Sequence, residues 1–226
     1  MVATTGSVSI EWANVYLEEI RLDAHQLLAW SFADTKQEIA RARDECDITG
    51  LLAEAMKRRL AHDATPDRYN HYSIHNEQPV SPRGELGKDR PRLDIQVQRN
   101  GVKAPRPQLT VEAKRLRDDR SARATRSLVG YLGSEGVGRF LKGRYDAGSP
   151  EVLMLGLVQA RDAQFWFARV DASFRDDSNF GGVEYAVLEH LEAVRVHPDF
   201  CDEQASLHRT EAGVRLRIFH LFVDCR

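Results

Sequence analysis

The first sixty residues carry a helical rhythm. In "SIEWANVYLEEIRLDAHQLLAW", residues 9–30, apolar positions recur every three or four residues. The more polar "ADTKQEIARARDEC" continues it. "DITGLLAEAMKRRLAHD" then sets Leu51, Leu52, Ala55, Met56 and Leu60 on one stripe of an amphipathic helix. Asp47 or Thr49 can cap its start, and Arg58 and Arg59 suit its C-terminal end. Glu54 lies beside that stripe, where a carboxylate either points into a cleft or stays solvated. The period then changes. "YNHYSIHNEQPV" is extended, and "SPRGELGKDRPR", rich in turn formers and charge, predicts a mobile loop. "LDIQVQ" and "QLTVEAKRL" alternate as strands around "RNGVKAPRP", which predicts a hairpin with a loop longer than two residues.

Helix resumes in "DRSARATRSLVGYLG"; "SEGVG" breaks it and "RFLKGRY" adds a short turn. "EVLMLGLVQA" is apolar throughout, as a central strand buried on both faces would be. "AQFWFARV" predicts a further strand. "GGVEYAVLEHLEAVRVHP" predicts a helix with Leu188, Leu191 and Val194 on one side. "GVRLRIFHLFVDC" predicts a last strand, with Val214, Leu216 and Ile218 alternating against Arg215 and Arg217. There is no internal repeat. The order is that of an α/β fold, a mixed β-sheet core flanked by helices. Residues 1–226 suit one domain, with 1–45 a helical N-terminal extension and 47–226 the core.

Composition narrows the class. The start of the chain lacks a basic stretch followed by an apolar core, so no signal peptide is expected. No apolar run approaches the ~20 residues that span a bilayer. Cys46, Cys201 and Cys225 are far apart, which predicts isolated thiols in a reducing cytoplasm. The formal net charge is −2, yet residues 99–126 hold nine basic against three acidic residues, a local excess of +6. Such a run is either a solvated helix face or a surface that steers a phosphate backbone.

Asp94 and Glu112 place carboxylates on the two strands of the expected hairpin. Residues directly opposite on such strands have Cβ atoms roughly 5 Å apart, close enough to share one hard cation. Glu112 and Lys114, two apart, project from the same face. A cation beside an attacked phosphate favours a hydroxide-like nucleophile and offsets transition-state charge. Beside that cation the Lys114 pKa should fall, helping it orient or deprotonate water.

"LDIQV…LTVEAK" resembles the active-site hairpin of the PD-(D/E)xK nuclease superfamily. Asp94 matches the motif's Asp, Glu112 its Asp/Glu and Lys114 its Lys; Leu93 stands where the motif has Pro. The likeness covers about residues 47–170, with the helix bearing Glu54 before the hairpin and a basic helix after it. The resemblance implies a restriction-endonuclease-like fold and a Mg²⁺- or Mn²⁺-dependent nuclease. Asp94, Glu112, the Ala113 carbonyl and Glu54 would hold metal, and Lys114 would position or activate water. DNA is the implied substrate, with Arg115, Arg117, Arg120, Arg123, Arg126, Arg139 and Lys142 as candidate backbone contacts. A role in bacterial genome defence or mobile-element processing follows by analogy.

Other features have plainer readings. Glu77 is a loop charge or a further carboxylate. "GSEGVGRF" lacks a Walker lysine pattern and follows a helix, so it is a turn. His71 and His75 lie in an extended segment, which does not put them on one face as metal ligands. His220 is a satisfied core histidine. Arg139, Lys142 and Tyr145 serve either as phosphate contacts or as a solvated turn. No Gly-x-Ser-x-Gly supports serine hydrolase chemistry. The second reading of the whole is a nuclease fold kept as a non-catalytic nucleic-acid-binding or scaffold subunit. The helix over residues 10–30 packs on its own core, forms a homodimer or docks a partner protein.

Overall fold

The computed structural model of the protein describes residues 10–42, 44–79, 92–101, 106–117, 121–143, 149–176 and 183–226. All of the loop expected at "SPRGELGKDRPR" except Arg92 lies outside them. The helical N-terminal part is one long helix, α1 (Ile10–Arg41), followed by α2 (Glu45–Leu60). A 3₁₀ turn at Asp67–His71 leads into β1 (Tyr72–Pro79), β2 (Arg92–Arg99) and β3 (Gln108–Leu116). Then come α3 (Ser121–Leu132), α4 (Val137–Leu141), β4 (Glu151–Val158), α5 (Ala163–Arg175), β5 (Val187–Ala193), β6 (Glu203–Arg209) and β7 (Arg215–Asp224).

The strands form one seven-stranded sheet in the order β1-β2-β3-β4-β7-β6-β5. β3, β4 and β7 run parallel at its centre, and the remaining neighbours are antiparallel. Central β4 is buried from Val152 to Val158, as its unbroken apolar run requires. One face packs against α1 and α2 through Ile20, Leu27, Ile39, Leu52 and Met56; the other packs against α3, α4 and α5 through Leu128, Tyr131, Phe140 and Trp166. The result is a mixed α/β sheet flanked by helices. Ile20, Ala24, Leu27, Leu28 and Ile39 of α1 cover the chain's own core while Val15 and Leu22 stay exposed. Polar clamps add to the packing: Arg21 Nη1 meets both oxygens of Glu151 at 2.8 and 2.9 Å, and His25 Nε2 sits 2.7 Å from Glu203 Oε1. No described helix is long and apolar enough to cross a membrane. All three cysteines are free.

Two elements reverse their expected type. "AQFWFARV" belongs to α5, not to a strand. The Asp162 side chain caps it by accepting from the Phe165 N–H, and Trp166, Phe167, Val170 and Phe174 are buried at helical spacing. "EYAVLEHLEAV" contains strand β5, not a helix. Its register against β6 shifts between Val187 and Glu189 and again between Glu189 and Glu192. These irregularities break the two-residue period, so Leu188 and Leu191 fall at a helical interval. β6, "EQASLHR", was not expected at all. Its inward positions include the polar residues Ser206 and His208, and the Ser206 hydroxyl links His208 to His220 by hydrogen bonds.

His220 is the satisfied core histidine expected. The His208 Nδ1–H can only donate to the Tyr185 carbonyl, at 2.8 Å, which leaves its Nε2 to accept from the Ser206 hydroxyl at 2.7 Å. Ser206 then accepts from His220 Nε2, and His220 Nδ1 accepts from the Tyr131 hydroxyl, both at 2.9 Å. Burial keeps both rings neutral, pushing His208 down to about 4 and His220 to about 3.

Candidate functional site

β2 and β3 pair from Gln98↔Gln108 to Ile95↔Val111, and the ladder stops there. The next pair in that register is Asp94 with Glu112. β3 continues for five residues beside β4, but its other edge has lost its partner. The N–H groups of Ala113 and Arg115 point to that edge, because alternate residues of a strand present their backbone groups to the same side. Two carboxylates replace the missing ladder. Asp94 Oδ2 accepts from the Ala113 N–H at 2.8 Å, and Glu45 Oε2 accepts from the Arg115 N–H at 3.1 Å. The Ala113 carbonyl faces the same side as its N–H, toward Asp94.

Glu45 was not anticipated, and its position follows from where α2 begins. The N-cap is Asp44, whose side chain accepts from the Asp47 N–H at 2.8 Å; neither Asp47 nor Thr49 caps the helix. Glu45 thus occupies the first turn, where the helix dipole favours a carboxylate. Glu54 lies nine residues on, about 13 Å along the axis and half a turn around it. Its side chain is exposed and bonded to Lys57 Nζ at 2.6 Å. The structure does not bring Glu54 to Asp94 and Glu112; the acidic side chain that α2 delivers is Glu45.

Glu112 is fully buried. Its Oε1 receives Lys114 Nζ at 2.8 Å and lies 3.5 Å from Arg139 Nη1 on α4, whose other terminal nitrogen meets Glu135. Its Oε2 is buried with no hydrogen-bond partner. Burial, then the nearby Asp94 charge, push the Glu112 carboxyl up to about 7; burial raises Asp94 as well. Burial opposes the Lys114 ammonium, yet Glu112, Asp94 and Glu45 outweigh it and hold its pKa above the ordinary lysine value. Lys114 Nζ bridges Glu112 to Glu45 Oε1, at 2.9 Å. With these three carboxylates around it, the ammonium stays protonated and donates to Glu112 and Glu45.

An orphaned buried carboxylate oxygen beside a second carboxylate and a backbone carbonyl is chemically suited to a hard divalent cation. Asp94, Glu112 and the Ala113 carbonyl supply three oxygens, and a six-oxygen shell would be completed by water and substrate. Among the described residues no three His, Cys, Asp or Glu side chains form a metal-holding group by themselves.

Beside Lys114 opens a cleft of about 590 Å³, lined by Asp44, Glu45, Lys114, Arg115, Arg117, Arg126, Ser127 and Gly130. Three of the expected backbone contacts, Arg115, Arg117 and Arg126, therefore share one cleft. Arg139 sits against Glu112, and Lys142 follows α4, half-buried. Arg123 falls on α3; Arg120 and Tyr145 lie outside the described residues. "GSEGVGRF" is a turn followed by α4, as expected. A Cβ at Gly136 would collide with the Tyr131 carbonyl, so glycine lets α4 fold back and carry Arg139 to Glu112. Glu77 is on a strand, not in a loop, opposite Asp94 in the β1–β2 register, with φ 49° and its carboxylate 3.3 Å from Arg92 Nη1. His71 ends the 3₁₀ turn and His75 bonds Ser73 on β1, so they do not pair as ligands.

A scan of protein-family models finds none that matches the chain, and no curated protein or solved structure matches it.

Proposed function

We propose that the protein is a Mg²⁺- or Mn²⁺-dependent nuclease of the PD-(D/E)xK type, with a restriction-endonuclease-like core, acting on DNA. The observation that carries this reading is the convergence of Asp94, Glu112 and Lys114 at the point where β2 leaves β3, with Glu112 Oε2 buried and unpartnered. Asp94, Glu112 and the Ala113 carbonyl would hold the cation. When bound, it supplies Lewis acidity and favours ionisation of water near neutral pH. Lys114, placed with its Nζ 2.8 Å from Glu112 Oε1, orients or activates the attacking water or neutralises a phosphate oxygen. Glu45 fixes the ammonium from the α2 side, and Arg139 adds positive charge beside Glu112. The basic cleft leads the phosphate backbone to Lys114.

The test is cleavage of plasmid and linear DNA with Mg²⁺ or with EDTA. Cutting is expected only with metal, and Asp94→Asn or Lys114→Ala should lower the rate at least a hundredfold. Full-rate cutting by both variants refutes the assignment. One observation favours a non-catalytic DNA-binding or scaffold subunit: Lys114, Glu112, Glu45 and Arg139 already form a closed ion-pair network. Absence of metal-dependent cutting together with retained DNA binding selects that reading.

A further inference from the structure

We propose that the cleft beside Lys114 seats the sugar-phosphate backbone of duplex DNA, without regard to base sequence, and that the backbone lies against α3 at Gly130. This rests on the phosphodiester reading above. Gly130 and Gly50 are the two glycines inside described helices that packing does not demand, and of the two only Gly130 lines the cleft. Gly130 sits inside α3, where glycine is less stable than alanine by roughly 0.5–1 kcal/mol. A Cβ there would meet nothing within 4 Å, whereas one at Gly133, Gly136 or Gly138 would strike the protein's own backbone or side chains. Packing therefore does not demand glycine at 130. The open space above it is the cleft, and Arg126, one turn earlier on the same helix face, lines that cleft too.

The rest of the lining fits a phosphate backbone. Lys114, Arg115, Arg117 and Arg126 face Asp44 and Glu45, so positive charge gathers on the β3 and α3 side and the acidic wall at α2 repels the strand toward it. Among the described lining residues there is no aromatic side chain on which an unpaired base could stack, which disfavours a single strand. Contacts to phosphate and sugar fix register but carry no sequence information. A bare helix backbone at Gly130 admits the chain closely.

The experiment is fluorescence anisotropy with the full chain in EDTA, where no cutting intervenes. The probes are two unrelated 30-base-pair duplexes and one of their single strands. The two duplexes should bind with the same Kd within threefold, and both at least tenfold tighter than the single strand. Gly130→Gln should weaken duplex binding at least tenfold while raising Tm by about 2 °C, because a better helix former now fills the cleft. Arg126→Ala should reduce the slope of log K against log salt by about 0.9. Wild-type affinity in Gly130→Gln, a lowered Tm in that variant, tighter binding of the single strand, or a tenfold preference between the duplexes each overturns the proposal. Loss of the nuclease reading would instead show as intact duplex binding without metal-dependent cleavage.

Discussion

Replacing Glu112 by Gln removes a carboxylate that the fold strongly disfavours ionising. Burial, then the charge of Asp94, raise this carboxyl from an ordinary 4.5 to about 7, and the side chain is 1% exposed, so water does not relieve it. At about 1.4 kcal/mol per pKa unit, ionising it in the folded protein costs about 3 kcal/mol more than in the unfolded chain. Between pH 4.5 and 7 the folded protein keeps a proton that the unfolded chain has released. Stability from this group is therefore lost as pH rises through that window, and the loss is complete above 7. Glutamine has no proton to release. Its weaker bond to Lys114 adds an offset that does not vary over this range, since the lysine stays charged. The stability of Glu112→Gln relative to wild type should rise by about 2–3 kcal/mol between pH 5 and 8, or roughly 5–10 °C in Tm. Urea denaturation of both proteins at pH 5, 6, 7 and 8 measures it. Titrating groups that do not interact with Glu112 cancel in the difference, and Asp94, which does, titrates mainly toward the acid end of the range. A difference that stays constant, or falls with pH, refutes the electrostatic account of Glu112.

Four further outcomes follow from the same contacts. Asp44→Ala removes the N-cap of α2 and should cost about 1 kcal/mol in urea denaturation; it should also slow cleavage, because Glu45 loses its fixed first turn. Ser206→Ala leaves His208 and His220 without their shared hydroxyl and should cost about 2–3 kcal/mol at pH 7. Because both rings are held neutral while the unfolded chain protonates near 6.5, wild-type stability should fall as pH drops from 6.5 toward 4, read by thermal melting. Gly156→Ala drives a Cβ against the Phe222 ring and to 2.7 Å from Leu116 Cδ1, beside Lys114 in the β3–β4 register, and should cost about 1–3 kcal/mol.

The hairpin was legible because both signals on it are local. "QLTVEAKRL" alternates from Gln108 to Lys114 and is β3 over the same nine residues, and its register with β2 sets Asp94 against Glu112. Glu45 was not legible. The local pattern suggests Asp47 or Thr49 as the cap, whereas α2 is capped by Asp44, about one turn earlier, and that shift decides which carboxylate faces Lys114. Glu54, beside the apolar stripe, lies about half a turn around the helix from Glu45. α5 looks like a strand locally because Phe165, Trp166 and Phe167 are strand-favouring in composition, while the period that buries Trp166, Val170 and Phe174 appears only over a longer window. β5 and β6 failed for complementary reasons. One is an irregular edge strand whose bulges mimic a helical interval, and the other turns Ser206 and His208 inward, satisfied by partners distant in sequence. Tertiary hydrogen bonding, invisible to local patterning, made polar residues acceptable in the core.

The central claim is that Asp94, Glu112 and the Ala113 carbonyl together hold one divalent cation. A crystal of the protein soaked in Mn²⁺, with diffraction recorded for manganese anomalous scattering, tests it most directly. The account predicts a single strong peak about 2.1 Å from an oxygen of each carboxylate and from the Ala113 carbonyl oxygen, with none at Glu54. A fully soaked crystal with no peak between Asp94 and Glu112, or with manganese held elsewhere, would contradict it.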